Sequence, residues 1–137
     1  MKRQGRCLCG AVHVTASESA NQVGACHCSM CRRWGGGPFM AIGCGSDVLI
    51  EGRENLSVFE SSKWAERGFC NNCGTHLFYR IKETGDHMIP VGLLDGDETL
   101  ELHHQVFIDE KPSFYCFDNE TEDMTGAQVF AKYGSSL

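Results

Sequence analysis

Apolar residues recur along the chain in short runs set apart by glycine and other turn formers. They are AVHVTA at 11–16, FMAIGC at 39–44, DVLI at 47–50, LSVFE at 56–60, HLFYRI at 76–81, HMIPVGLL at 87–94 and HQVFI at 104–108. Runs of this length, rich in Val, Ile and Phe and bounded by turn residues, are the pattern of half-buried strands. A mainly β fold is predicted. Helical signals are sparse. The clearest is a short turn over Ser29–Trp34, where the chain must fold back for Cys28 and Cys31 to meet, and it ends at Gly35, Gly36, Gly37 and Pro38. With no internal repeat, low-complexity tract or linker, 137 residues suit one domain spanning 1–137.

Seven of the nine cysteines fall into three clusters: Cys7 and Cys9 in CLCG, Cys26, Cys28 and Cys31 in CHCSMC, and Cys70 and Cys73 in CNNCG. A structural zinc site takes four donors, whereas a catalytic one keeps three and leaves a position open. Seven clustered thiols therefore divide into four plus three. Spacing alone leaves the pairing open, because Cys28 and Cys31 also have CxxC spacing and can join Cys7 and Cys9. Disulfides are the competing reading, but the chain starts MKRQGRCLCG without an apolar run, so no secretory signal is expected. A thioredoxin-type redox pair fits poorly, since nothing reads as a βαβ unit. The Asn pair and the following Gly in FCNNCGTHLFYR suit a tight metal-binding turn feeding a strand. Cys7 and Cys9 sit on one side of an extended segment. Zinc joining those two places would staple the N-terminus to the middle of the chain.

Composition limits the functional classes. Hydrophobic residues at 42% and charged residues at 22% are ordinary for a globular protein, and no apolar stretch approaches the ~20 residues of a membrane helix. A cytoplasmic location is expected, with no membrane partner. Formal net charge is -6, and seven thiolates with two zinc ions would carry it to roughly -9. That charge repels nucleic acid. Lys2, Arg3 and Arg6 read as a solvated surface, while Arg32 and Arg33 directly follow the last ligand of the trio.

Together GRCLCGAV, CHCSMCRRWGG, FCNNCGTHLF, VGLLD and HHQVFIDEKPSFY, in that order, resemble the glutathione-dependent formaldehyde-activating enzyme family, which shares its domain with centromere protein V. The motif-bearing core spans about 5–117. The resemblance implies a zinc-stabilised β-tent domain in which Cys7, Cys9, Cys70 and Cys73 share a structural zinc. It also implies that Cys26, Cys28 and Cys31 hold a second zinc that meets the thiol of glutathione. Two zinc ions per chain are expected. One departure from the family pattern falls at Phe114, where a Trp commonly stands.

The chemistry expected is that of a carbon-sulfur lyase acting on a thiol-aldehyde adduct, forming or cleaving S-hydroxymethylglutathione. Three thiolates around a dication leave a net charge of -1, which suits holding a small thiol as thiolate, below its usual value of about 8.5, better than activating a carbonyl. Arg32 and Arg33 can clamp a carboxylate of glutathione, the alternative being surface ion pairs. His104 is a candidate pocket residue, with a packed strand histidine as the competing reading, and His27 is a candidate ligand or proton shuttle. Trp34 reads first as core. Cys44 and Cys116 read as small buried or incidental thiols. Two other functions compete: a non-catalytic zinc-folded binding module, and a methionine sulfoxide reductase-like redox protein using Cys116.

Overall fold

The computed structural model describes residues 1–96 and 99–134. Its strands are β1 (Arg3–Arg6), β2 (His13–Ala16), β3 (Gln22–Cys26), β4 (Phe39–Gly43), β5 (Val48–Glu51), β6 (Leu56–Phe59), β7 (Ala65–Cys70), β8 (His76–Ile81), β9 (His87–Pro90), β10 (Glu101–Val106) and β11 (Glu122–Met124). Two short helices join them, α1 (Ser29–Gly35) and α2 (Gly126–Tyr133). The fold is mainly β, as the runs predict. β1, β2 and β5 form a three-stranded sheet, and the rest form an eight-stranded sheet in the order β11-β10-β3-β4-β9-β8-β7-β6. Only the β10–β11 and β10–β3 ladders are parallel. Elsewhere the ladders are antiparallel.

Alternation decides which side chains the sheets enclose. In β2 Val14 and Ala16 turn inward while His13 is exposed, and Ile50 of β5, paired with Val14, adds to the same layer. Opposite them lie Val23, Ile42, Leu77, Phe78 and Ile89 of the larger sheet, all buried. Burying each such aliphatic or aromatic side chain contributes about 1.5–3 kcal/mol. Cys7, Cys44 and Cys70 belong to this same core, so the sulfur sites grow out of packed apolar structure. β1 also meets the segment that follows β9, through an isolated bridge between Gly5 and Leu94. No room exists there for a side chain, because a Cβ on Gly5 would overlap the Leu93 carbonyl.

Several elements differ from the sequence expectation. HMIPVGLL is strand only to Pro90, and a single helical turn over Val91–Leu93 follows. Proline lacks the N–H that would carry the ladder on. β1, β3, β7, β11 and α2 were not foreseen from the apolar runs. α2 starts at a full capping box, in which Thr125 Oγ1 accepts from Gln128 N–H and the Gln128 side chain accepts from Thr125 N–H. The helix at Ser29 appears as expected and ends on Gly36, which takes a left-handed conformation at φ 86°. Among the described residues no helix is long and apolar enough to cross a membrane.

Candidate metal centres

The first cluster forms where two tight turns meet. At the N-terminus, Cys7 N–H donates to the Val12 carbonyl and Gly10 N–H to the Cys7 carbonyl, which folds CLCG into a loop ahead of β2. After β7, Cys70 N–H donates to the Thr75 carbonyl and Gly74 N–H to the Cys70 carbonyl, with Gly74 at φ +79° where a side chain would be strained. Leu8 N–H donates to Thr75 Oγ1, tying the two turns together across the chain. The sulfurs of Cys7, Cys9, Cys70 and Cys73 thereby converge within 4.8 Å of one another.

Their separations test what they can hold. Cys7 Sγ lies 3.6 Å from Cys9 Sγ, and Cys9 Sγ lies 3.8 Å from Cys70 Sγ. A zinc–sulfur bond of ≈ 2.3 Å in a tetrahedron sets neighbouring sulfurs about 3.8 Å apart, whereas a disulfide holds them near 2.05 Å. The spacing fits a tetrahedral thiolate shell. All nine cysteines are free. Cys73 is pulled down to about 5, first by hydrogen bonds from the Thr75 side chain and backbone, a bias toward the thiolate that metal binding needs.

The second cluster is local. Cys26 ends β3, Cys28 is the N-cap of α1, and Cys31 sits in its first turn. Cys28 Sγ accepts from Cys31 N–H at 3.4 Å, so the helix start fixes the pair. The three sulfurs lie within 4.8 Å of one another, with Cys31 buried and the other two half-buried. Hydrogen bonds from Cys26 and Cys31 hold the Cys28 thiol far below its ordinary value, and Arg67 adds to the effect. The same sharing pushes Cys26 up. The two sets are distinct, so Cys28 and Cys31 do not join Cys7 and Cys9.

Arg67 is a residue the sequence reading missed. It is only 3% exposed, donates through Nη2 to Cys31 Sγ at 3.6 Å and through Nε to Ser61 Oγ at 3.2 Å. Its guanidinium carbon lies 4.9 Å from the Trp34 ring centre and 5.0 Å from that of Tyr79. Trp34 in turn stacks on His76 at 3.8 Å and meets Phe39 edge-on. No local pattern pointed to it, since the Cys31 sulfur it meets lies 36 positions away.

His27 is not placed as a metal ligand. It is fully buried, with Nδ1 2.8 Å from Tyr115 Oη and Nε2 2.8 Å from Gln105 Oε1. Gln105 Nε2 donates to Thr121 Oγ1, so its oxygen must face the histidine. Nε2 therefore carries the proton, and Nδ1 accepts from the Tyr115 hydroxyl. Both nitrogens are occupied. Burial lowers the His27 pKa, keeping the ring neutral.

The remaining candidates separate. Arg32 is half-buried and donates Nε–H to the His27 carbonyl at 2.9 Å, while Arg33 is exposed. His104 lies on β10 opposite Gly24, and its ring fills the space a Cβ on Gly24 would take. It stands two residues along β3 from Cys26, beside His103. Cys44 is buried and pushed up to about 11 by that burial, an unreactive core thiol. Cys116 is exposed and belongs to neither sulfur set.

Residues 2–110 match the family model described as glutathione-dependent formaldehyde-activating enzyme. The chain belongs to that family. An uncharacterized lyase of Schizosaccharomyces pombe is 38% identical over 127 residues, covering 92% of this chain and 93% of that protein. A crystal structure of a Rhodobacter sphaeroides protein superposes with a TM-score of 0.58 at 30% identity, over 68% of this chain and 88% of that one. Membership in the glutathione-dependent formaldehyde-activating family thus accompanies a sulfur arrangement that can hold two metal ions.

Proposed function

We propose that this protein is a zinc-dependent enzyme of the carbon-sulfur lyase kind that makes or breaks the adduct of a small thiol and an aldehyde. S-hydroxymethylglutathione is the adduct its family description points to. The observation that carries the reading is the three-sulfur set of Cys26, Cys28 and Cys31, one donor short of a full shell, beside a four-sulfur set that is complete. Cys7, Cys9, Cys70 and Cys73 would hold a structural zinc, and Cys26, Cys28 and Cys31 a second.

Bound there, zinc supplies stabilisation of a thiolate at neutral pH. The balance of the reaction is simple: a carbon–sulfur bond forms between thiol sulfur and aldehyde carbon, and the thiol proton ends on the aldehyde oxygen. The chain's own residues orient the partners. α1 fixes Cys28 and Cys31 through its first turn. Arg32 spends Nε on the His27 carbonyl, and its terminal fork has no protein partner among the described residues, so it is available to a glutathione carboxylate. Exposed Arg33 next to it adds charge at the same edge. His104, packed over Gly24, would line the approach from β10 rather than touch the thiol.

Metal content per chain and zinc-edge absorption, each with and without glutathione, test the proposal. Two zinc ions and a shell that gains a sulfur donor on adding glutathione are expected. One ion per chain, or a coordination shell unchanged by thiol, overturns it and leaves a zinc-folded binding module.

A further inference from the structure

Arg67 is an expensive residue to bury. A guanidinium removed from water needs partners for its N–H groups and an opposite charge nearby. Arg67 has neither in the ordinary way. Its Nη1 lies buried with no hydrogen-bond partner, and it takes part in none of the ion pairs to carboxylates among the described residues. What it does have is Cys31 Sγ at 3.6 Å, a hydroxyl, and two aromatic rings facing its guanidinium. Among the described residues, the sulfur trio is the only source of negative charge it contacts.

Among the described residues, no cationic side chain hydrogen-bonds to the four-sulfur set. There Cys7 Sγ accepts from Val12 N–H at 3.3 Å and Cys73 Sγ shares a hydrogen bond with Thr75 Oγ1 at 3.2 Å, contacts from neutral groups. The difference follows the charge each site must carry. Four thiolates around a dication are a finished shell of charge -2. Three thiolates around a dication carry -1, and a thiolate arriving as the fourth donor would raise that to -2 at a half-buried position. A cation against Cys31 brings the resting set to zero and the occupied set to -1.

We infer that Arg67 is the built-in counter-charge of the Cys26, Cys28 and Cys31 set and makes its open position select an anionic sulfur donor over a neutral one. It is a positioning residue, acting through Cys31. Ser61 and the rings of Trp34 and Tyr79 hold the guanidinium in place, which a flexible lysine on the surface would not achieve. This rests on the trio being an open metal site, as proposed above.

The test uses the full chain loaded with cobalt(II), whose sulfur-to-metal absorption reports each donor without any turnover. Wild type, Arg67→Met and Arg67→Lys are each titrated with glutathione and, separately, with imidazole as a neutral donor. A hydrogen bond to a charged group is typically a 10- to 100-fold effect, so Arg67→Met should lose roughly that in glutathione affinity. Imidazole affinity should change by less than about threefold, and Arg67→Lys should recover most of the loss. Equal glutathione binding by wild type and Arg67→Met overturns the inference, as does an equal loss of both donors, which is the mark of a merely structural residue. Should Arg67→Met fail to load cobalt, Arg67→Gln, polar but uncharged, is judged by the same two affinities. A wild-type protein that takes up no fourth donor of either kind overturns the proposed function itself, and the role of Arg67 with it.

Discussion

The two sulfur sets differ most in how much chain each one closes, and that difference can be measured. Cys9 and Cys70 lie 61 positions apart with their sulfurs in contact, so a metal at the four-sulfur set ties off a loop of that length. Treating the metal as a cross-link, the loss of chain entropy in the unfolded state is worth about 4 kcal/mol for such a loop. Cys26 to Cys31 encloses a single turn, for which the same relation gives about 2 kcal/mol. Replacing Cys70 and Cys73 together leaves no donor on the far side of the long loop, and replacing Cys28 and Cys31 together opens only the short one; each pair joins one buried to one half-buried thiol, so local costs are similar and the difference isolates the loop. The Cys70→Ser, Cys73→Ser variant should be the less stable by about 2 kcal/mol, or roughly 6–10 °C in Tm for a chain of this size. Urea unfolding of the two metal-loaded variants, followed by tryptophan fluorescence, reads the gap directly. Equal midpoints, or a less stable Cys28→Ser, Cys31→Ser variant, would refute the idea that the four-sulfur set is the staple of the fold.

Three further outcomes follow from individual residues. His87 is buried with Nδ1 3.1 Å from the Gly45 carbonyl, and burial lowers its pKa from 6.5. The unfolded chain therefore binds the proton more readily: stability is full above about pH 6.5 and falls as pH drops toward the folded value, so His87→Gln should show a shallower Tm decline between pH 7 and 5 than wild type. Gly5→Ala drives a Cβ into the Leu93 carbonyl, a backbone atom that cannot swing aside, and should cost more than the usual 1–3 kcal/mol of overpacking, read as a loss of soluble yield or a large drop in Tm. Tyr115→Phe leaves buried His27 Nδ1 without its donor and should cost about 1–3 kcal/mol in denaturant unfolding while zinc content stays constant.

How far the sequence was legible depends on the range of the interaction. Strands that carry their own apolar pattern, β2 by alternation and β8 by the run Leu77, Phe78 and Tyr79, were readable because the pattern lies within the segment. β1 and β11, with the sequences RQGR and EDM, carry no such pattern; neighbours supply their ladders. β7 hid because AERGFC holds two charges, and one of them, Arg67, is buried by a sulfur 36 positions away. α2 was legible in principle, since Thr125 and Gln128 spell a capping box, but its apolar stripe is short. Donor number accounted for the division into four plus three, whereas the grouping of particular cysteines came from the family resemblance and is the grouping the sulfurs adopt. The buried chain from Tyr115 through His27 to Gln105 was not legible, because it joins residues 88 and 78 positions apart.

Confinement of the trio to six consecutive positions, set against the long reach of the other cluster, also orders events at the ribosome. Cys31 leaves the exit tunnel roughly forty residues ahead of Cys73, which at typical synthesis speeds is a head start of about 2–8 s. During that interval the nascent chain offers the trio together with Cys7 and Cys9, but not the later half of the four-sulfur set. The four-sulfur set can close only once Cys73 has emerged, so the long loop is tied later in synthesis than the local turn that gathers the trio.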